Sequence, residues 1–311
     1  MAEPLVSICC LTYNHEPYIR KCLDGFIMQK TNFHFEVLIH DDASTDRTAD
    51  TIREYEAKYP DIIKPIYQTE NKYSKGLNIS VTYQFPRAKG KYIAMCEGDD
   101  YWIDPLKLQK QVDFLEANEE YSGAASKAEI YYVNTGEKHI KENHNKDTIT
   151  IKDLQKNLYF QTGTFIYRKE ISKHFEYLPI LSGDKYLFLL VASYGDIYML
   201  QEVTSVYRKH PGGVSHYVTS SQILTDLIIA DVIKNHSEDF LPNEYNIHIL
   251  EKVFLASSVI YFSDLLKTTK VYFRITLLNK MEHTKFWYIK HYFRLLQKGI
   301  QKVKSKQKGP F

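Results

Sequence analysis

Three apolar runs in the first hundred residues end on polar side chains, and this pattern constrains the fold more than any other feature. LVSICCLTY (5–13) gives way to Asn14, His15 and Glu16, FEVLIHDD (35–42) to Ala43, Ser44 and Thr45, and KYIAMCEGDD (91–100) to Tyr101 and Trp102. Strands buried on both faces read as continuous apolar runs, and helix-length spans between them imply a parallel sheet covered by helices on both sides. Pro17 suits a first helical position before Ile19, Cys22, Leu23, Phe26 and Ile27, which fall on one side of a helix. Ser44 and Asp46 offer caps for a second helix through Lys58, IIKPIYQ reads as a strand, and a short helix near 78–85 is stopped by Pro86. In such sheets ligands bind beyond the carboxyl ends of the strands, so TYNHE, DDASTD and EGDD should meet at one crevice.

Beyond residue 104 the pattern continues with less polar punctuation. Leu108, Val112 and Leu115 mark an amphipathic helix, GAASKAEIYYV (123–133) and GTFIYR (163–168) are strands, and a helix is expected around 151–159. SGDKYLFLLVASYG (182–195) opens a further helix, IYMLQEVTSVYRKH (197–210) returns as strand, and the chain is helical from about 220. Residues 1–218 are thus expected to form an α/β domain with a mostly parallel central sheet, and 219–311 a helical C-terminal region.

With 44% hydrophobic residues in 311, the chain can build a full core, and its 25 tyrosines suit amphipathic binding surfaces. The start, MAEPLVSICC, lacks a basic n-region, and no run of apolar residues reaches membrane-spanning length. Cys9, Cys10, Cys22 and Cys96 show no zinc-ligand spacing, and strand neighbours such as Cys9 and Cys10 point to opposite faces. A reduced, cytoplasmic protein is expected. From Lys285 onward there are eight basic residues and no acid, which leaves 32 basic against 38 acidic residues in 1–284. In that tail Phe286, Ile289, Phe293, Leu296, Ile300 and Val303 form an apolar stripe beside the cations, which suits either packing on protein, including a second copy of the chain in a homodimer, or contact with an anionic membrane surface. No nucleic-acid partner is expected.

Burying an unpaired carboxylate is costly, so Glu97, Asp99 and Asp100 at a strand end call for a cation, a donor-rich ligand or open water. Gly-Asp-Asp is also ordinary turn chemistry, but hard oxygen ligands at this place suit Mg²⁺ or Mn²⁺ bridging carboxylates to substrate phosphates. Asp41 or Asp42 can accept a hydrogen bond from a nucleobase N–H, while Ser44 and Asp46 read as helix caps. Tyr13, between Thr12 and Asn14 at the first strand's mouth, can lie flat on a base or belong to the core. Neither G-x-G-x-x-G nor G-x-x-x-x-G-K-[ST] is present, so a diphosphate would be neutralised by metal on Asp100 with help from Lys72 and Lys75.

PLVSICCLTYN, FEVLIHDDASTDRT, AKGKYIAMCEGDDYW followed by DPLKLQKQVDFLE, and SGDKYLFL together resemble a bacterial family 2 glycosyltransferase of GT-A fold, over residues 4–215. The resemblance implies an inverting transfer from a nucleotide-diphospho-sugar, with a UDP-sugar favoured, to a glycan or lipid-linked glycan acceptor in capsule or surface polysaccharide synthesis at the inner face of the cell membrane. It also implies that Asp42 contacts the base, Tyr13 stacks on it, Thr12, Asn14, Asp41, Lys75 and Asp99 belong to the donor site, Asp100 binds metal, and Asp184 is the catalytic base. YRKHPGGVS (207–215) resembles the family's flexible loop near the diphosphate, where His210 would reach metal or phosphate. The metal motif is Glu-Gly-Asp-Asp in place of Asp-x-Asp, which leaves the partners of Glu97 and Asp99 open. Two alternatives stay beside this reading: a sugar-phosphate nucleotidyltransferase, whose Gly-rich N-terminal signature is missing, and a non-catalytic glycan-binding protein on the same fold.

Overall fold

The computed structural model describes residues 3–141, 146–213, 217–255, 262–278 and 289–297. They fall into two compact units: residues 1–150, 158–177 and 190–210 form the first, and residues 151–157, 178–189 and 211–311 the second.

The first unit holds one mixed sheet. Its strands are β1 (Val6–Thr12), β2 (Phe35–Asp41), β3 (Ile63–Tyr67), β4 (Tyr92–Met95), β5 (Tyr101–Trp102), β6 (Tyr121–Tyr132), β7 (Lys138–Ile140), β8 (Thr148–Ile149), β9 (Ile166–Arg168) and β10 (Asp196–Lys209). The order is β3-β2-β1-β4-β9-β6-β10-β5, with β7 on β6 and β8 on β10. As the apolar runs predict, β3, β2, β1 and β4 are all parallel, and β6 and β10 also run parallel. Between these two parallel sets β9 enters antiparallel to both β4 and β6, an arrangement its short span does not disclose.

Helix α1 (Ile19–Ile27) buries Ile19, Cys22, Leu23 and Phe26, a helical stripe that packs with Val6, Ile8 and Cys10 of β1. A methyl group on Gly25 would stand 2.9 Å from the main-chain N and O of Trp102, so glycine lets α1 lie against β5 backbone to backbone. Helix α2 (Thr48–Lys58) follows β2, and α3 (Lys107–Ala117) inserts Leu108, Val112 and Leu115 into the same core. The expected helix near 78–85 is a π turn over Ser80–Gln84 continued by a 3₁₀ turn over Phe85–Arg87 that contains Pro86 near its start. Proline's missing N–H costs nothing in a first turn, so Pro86 opens that turn rather than ending a helix. The four cysteines are free and buried; Cys10, Cys22 and Cys96 share one core cluster, while Cys9 faces the other side of β1.

The second unit contains α4 (Ile151–Leu154), the start of α5 (Gly183–Ala192), α6 (Ser220–Thr225), α7 (Ile228–Ile233), α8 (Pro242–Leu255), α9 (Phe262–Leu278) and a helix over 289–297. Thr219 caps α6 in a capping box with Gln222. The last described helix turns Tyr292 inward, against Phe254, Tyr272 and Phe273, and also buries Leu295. Of the expected apolar stripe, Phe293 is 54% exposed, Ile289 and Leu296 are half-buried, and Phe286, Ile300 and Val303 lie outside the described residues. Among the described residues no helix is long and apolar enough to cross a membrane.

Candidate active site

Loops leaving β1 and β2 interlock before any ligand is considered. Asn14 takes a left-handed backbone (φ 54°); its N–H donates to Ser44 Oγ at 2.9 Å and its Oδ1 accepts from Thr45 N at 2.8 Å. His15 N donates to Thr48 Oγ1 at 2.8 Å, Glu16 N to Asp46 Oδ2 at 3.0 Å, and Arg47 N to Glu16 Oε2 at 3.1 Å. Asp41 is buried and accepts from Ser44 Oγ at 2.5 Å and Thr12 Oγ1 at 3.2 Å, so Thr12, Asn14 and Asp41 build the rim.

Asp42, also buried, accepts the N–H groups of Lys72 at 2.8 Å and Tyr73 at 2.9 Å. A carboxylate offers about four acceptor positions, so these two bonds leave room for a further donor such as a base N–H. Behind it, His40 Nε2 stands 3.5 Å from Asp42 Oδ1 and its ring lies 4.9 Å from that of Tyr83. Tyr13 keeps 44% of its surface exposed. Lys72 and Lys75, expected at a diphosphate, both pair with Glu70, which holds the Glu70 carboxyl down to about 2.

The mouth of β4 is built differently. Gly98 N donates to Leu11 O at 2.9 Å, and a methyl group on Gly98 would lie 2.5 Å from Thr12 Cγ2 and 2.9 Å from His15 Nδ1. Glycine therefore brings the acidic turn against the β1 loop. Asp100 is 2% exposed and its Oδ1 accepts from Arg208 N at 2.8 Å. Burial pushes the Asp100 carboxyl well above the usual carboxylate range, and Asp99 and Cys96 add to the push. Burial also pushes Asp99 upward, but the hydrogen bond from His210 and the neighbouring charges of His15 and His210 prevail and hold it low. His210 Nε2 lies 3.0 Å and His15 Nε2 3.8 Å from Asp99 Oδ2. Arg208 Nη1 donates to the Asp99 carbonyl at 2.5 Å, and its guanidinium covers Tyr101 at 4.3 Å and Tyr18 at 5.2 Å. Adjacent carboxyls pushed in opposite directions are a pattern that functional sites share with structural charge networks.

The residues called for by the sequence thus meet with different partners from those expected. His210 engages Asp99, whereas Asp100 takes the Arg208 N–H. Tyr207, Arg208 and Lys209 belong to β10 and not to a loop, and 214–215 lie outside the described residues. Glu97 is exposed. Asp184 lies in the second unit, exposed in the first turn of α5, where its Oδ1 accepts from Lys185 N at 2.7 Å. Arg208, His15 and Tyr18 were given no individual role by the sequence; they enter the corner through β10 and the first turns after β1.

Among the described residues no three His, Cys, Asp or Glu side chains are gathered to hold a metal by themselves. The donor chemistry nonetheless fits a divalent cation. Asp100 is a buried carboxyl with too little compensating charge, beside a second carboxylate and a histidine, and Mg²⁺ is ordinarily held by one or two carboxylates with substrate phosphates completing the shell.

This mixed sheet with acids at the mouths of β2 and β4 is the GT-A arrangement. The S. aureus protein TarS, residues 1–349, solved with UDP-GlcNAc, superposes with a TM-score of 0.63 at 19% identity, covering 87% of this chain and 80% of that one. The Pyrobaculum calidifontis mannosyltransferase PcManGT, solved with GDP-Man and Mn²⁺, gives 0.56 at 15% identity over 100% and 89% of the two chains. Residues 7–175 match the family described as glycosyl transferase family 2, and the chain belongs to that family. The uncharacterized protein Rv1520 of Mycobacterium tuberculosis is 37% identical over 223 residues, 68% of this chain and 60% of its own length. TuaG of Bacillus subtilis, named for teichuronic acid biosynthesis, is 34% identical over 113 residues, 36% of this chain and 42% of its own. The chain thus spans about three-fifths of the length of the first of these curated relatives.

Proposed function

We propose that the chain transfers a sugar from a nucleotide-diphospho-sugar, with a UDP-sugar favoured, to a hydroxyl of a glycan or lipid-linked glycan, with inversion, in surface polysaccharide synthesis. The observation that carries this reading is the acidic corner at the mouth of β4, where the buried Asp100 takes the Arg208 N–H and the half-buried Asp99 takes His210. The teichuronic acid name of TuaG and the nucleotide sugars bound by TarS and PcManGT support the same donor and product class.

Tyr13 receives the base on its exposed face, and Asp42 accepts the base N–H with the capacity left after Lys72 and Tyr73. The rim of Thr12, Asn14 and Asp41 holds both in place. Lys72 and Lys75 must exchange Glu70 for phosphate oxygens if they take part. Asp100, with Asp99 and His210, would hold Mg²⁺ or Mn²⁺, which when bound supplies Lewis-acid neutralisation of the leaving diphosphate. Asp184 takes the proton of the acceptor hydroxyl as its oxygen bonds to the anomeric carbon, and the bond to the diphosphate oxygen breaks on the opposite face.

The test separates binding from chemistry. Wild-type chain should show a Mn²⁺-dependent rise in melting temperature with UDP. Asp184→Asn should keep that rise yet lose about 10²–10⁴-fold in transfer rate, the usual worth of a general base. A UDP-dependent shift with no transfer by wild type to any glycan hydroxyl would make the chain a binding module. Transfer undiminished in Asp184→Asn would move the base elsewhere.

A further inference from the structure

We infer that the outward face shared by α9 and the helix over 289–297 is a docking surface for an anionic lipid bilayer. The inner faces of these helices are settled by their contacts: Tyr272 and Tyr292 stack at 5.0 Å, Thr269 Oγ1 bonds to the Tyr292 hydroxyl, and His291 Nε2 pairs with Glu251 Oε1 at 3.1 Å. Tyr272, Thr276, Tyr292 and Leu295 are buried there. The opposite face presents Leu266, 56% exposed, and Phe293, 54% exposed, joined by the half-buried Phe273, whose ring lies 6.4 Å from that of Phe293.

Around these apolar groups stand Lys267, Lys270, Arg274, Lys290 and Arg294, all exposed. None has an acidic partner among the described residues. The only acid on either described helix, Asp264, is taken by Ser220 and Ser221 at 2.7 and 2.6 Å. Five exposed cations on these two helices with no acidic partner among the described residues call for an anionic partner. Exposed leucine and phenylalanine on the same two helices decide its kind: long basic side chains can reach phosphates at the headgroup level while the apolar tips enter the acyl boundary. A nucleic acid would meet the charge but give Leu266 nothing to enter. This surface includes Phe293 of the tail stripe expected from sequence, and the inference stands independently of the donor chemistry.

The test is sedimentation of the full chain with phosphatidylglycerol–phosphatidylcholine vesicles and with phosphatidylcholine vesicles alone. Binding should need the anionic lipid and weaken with salt. Replacing Lys267, Lys270 and Arg274 with Gln should cut it about a hundredfold, from about fivefold for each cation at an anionic surface. Leu266→Ser with Phe293→Ser should weaken vesicle binding while sparing retention on heparin. Thermal melting and transfer to a soluble acceptor should stay as in wild type for both variants. Undiminished vesicle binding by the charge variant would overturn the inference. So would a Leu266/Phe293 variant that binds vesicles as wild type does, which would make the face a general polyanion site, or a self-association abolished by Phe293→Ser, which would make it an interface between copies.

Discussion

The mouths of β2 and β4 each carry two consecutive acids, and the two pairs are treated in opposite ways. Asp41 and Asp42 are surrounded by donors: Ser44, Thr12 and two backbone N–H groups. Asp99 and Asp100 share Arg208 and two histidines unequally, so that one carboxyl is held low and the other is pushed high. The lesson is that an acid at a strand end can be an anchor or a vacancy for charge, and only its partners tell which. The buried Lys107 does not relieve the second corner, because its Nζ donates to Gln111 Oε1 at 2.8 Å and lies over the Trp102 ring at 4.2 Å.

The contrast can be broken most sharply at Asp100. Asp100→Asn should cut transfer by about 10²–10³-fold, as loss of an electrostatic stabiliser does, while leaving the melting temperature unchanged or raised, because an uncompensated buried carboxyl is removed. A large loss of stability would show that Asp100 is an anchor after all. Asp41→Ala should do the reverse, costing about 3 kcal/mol in chemical denaturation through its lost charge-assisted hydrogen bonds; an unchanged denaturation midpoint would contradict the anchor role.

Lys107, held by Gln111 and the Trp102 ring, gives a pH test of its own. Burial pulls its amine from 10.5 down to about 7. The unfolded chain then binds the extra proton between those values, so wild-type stability should climb by up to about 1.4 kcal/mol per pH unit from 7 toward 10.5, and flatten below 7. Lys107→Met should lack the slope and be the more stable protein at the acid end; parallel curves would mean that Lys107 is paired. The smallest effect is expected at the first corner. Ala43 is held at φ 62°, a left-handed conformation that costs an L-residue about 1 kcal/mol, so Ala43→Gly should stabilise by roughly that amount in the same denaturation assay.

Much of this was legible because it is local. A parallel half-sheet follows from apolar runs of strand length, and the helix stripe Ile19, Cys22, Leu23 and Phe26 is a spacing within nine residues. The acids are visible for the same reason, since each pair ends its own strand. Their partners are not local. Arg208 and His210 reach Asp99 and Asp100 from more than a hundred residues away through the register of β10 with β6 and β5, which no periodicity records. The capture of Lys72 and Lys75 by Glu70 is nearby in sequence but lies in an irregular turn, where side-chain direction has no fixed period. Pro86 misled because a proline marks a helix's first turn as readily as its end.

The four buried thiols have a practical consequence. All belong to the first unit, on β1, α1 and the end of β4, and burial pushes Cys9 and Cys22 far above the range in which thiolates form in water. A thiol reagent should therefore label the chain only when these strands open, since the thiolate is the reactive species. Labelling speed under native conditions then clocks the breathing of the first unit alone, with no tag or dye to be engineered, and a nucleotide that binds this unit should slow that clock in proportion to how tightly it grips.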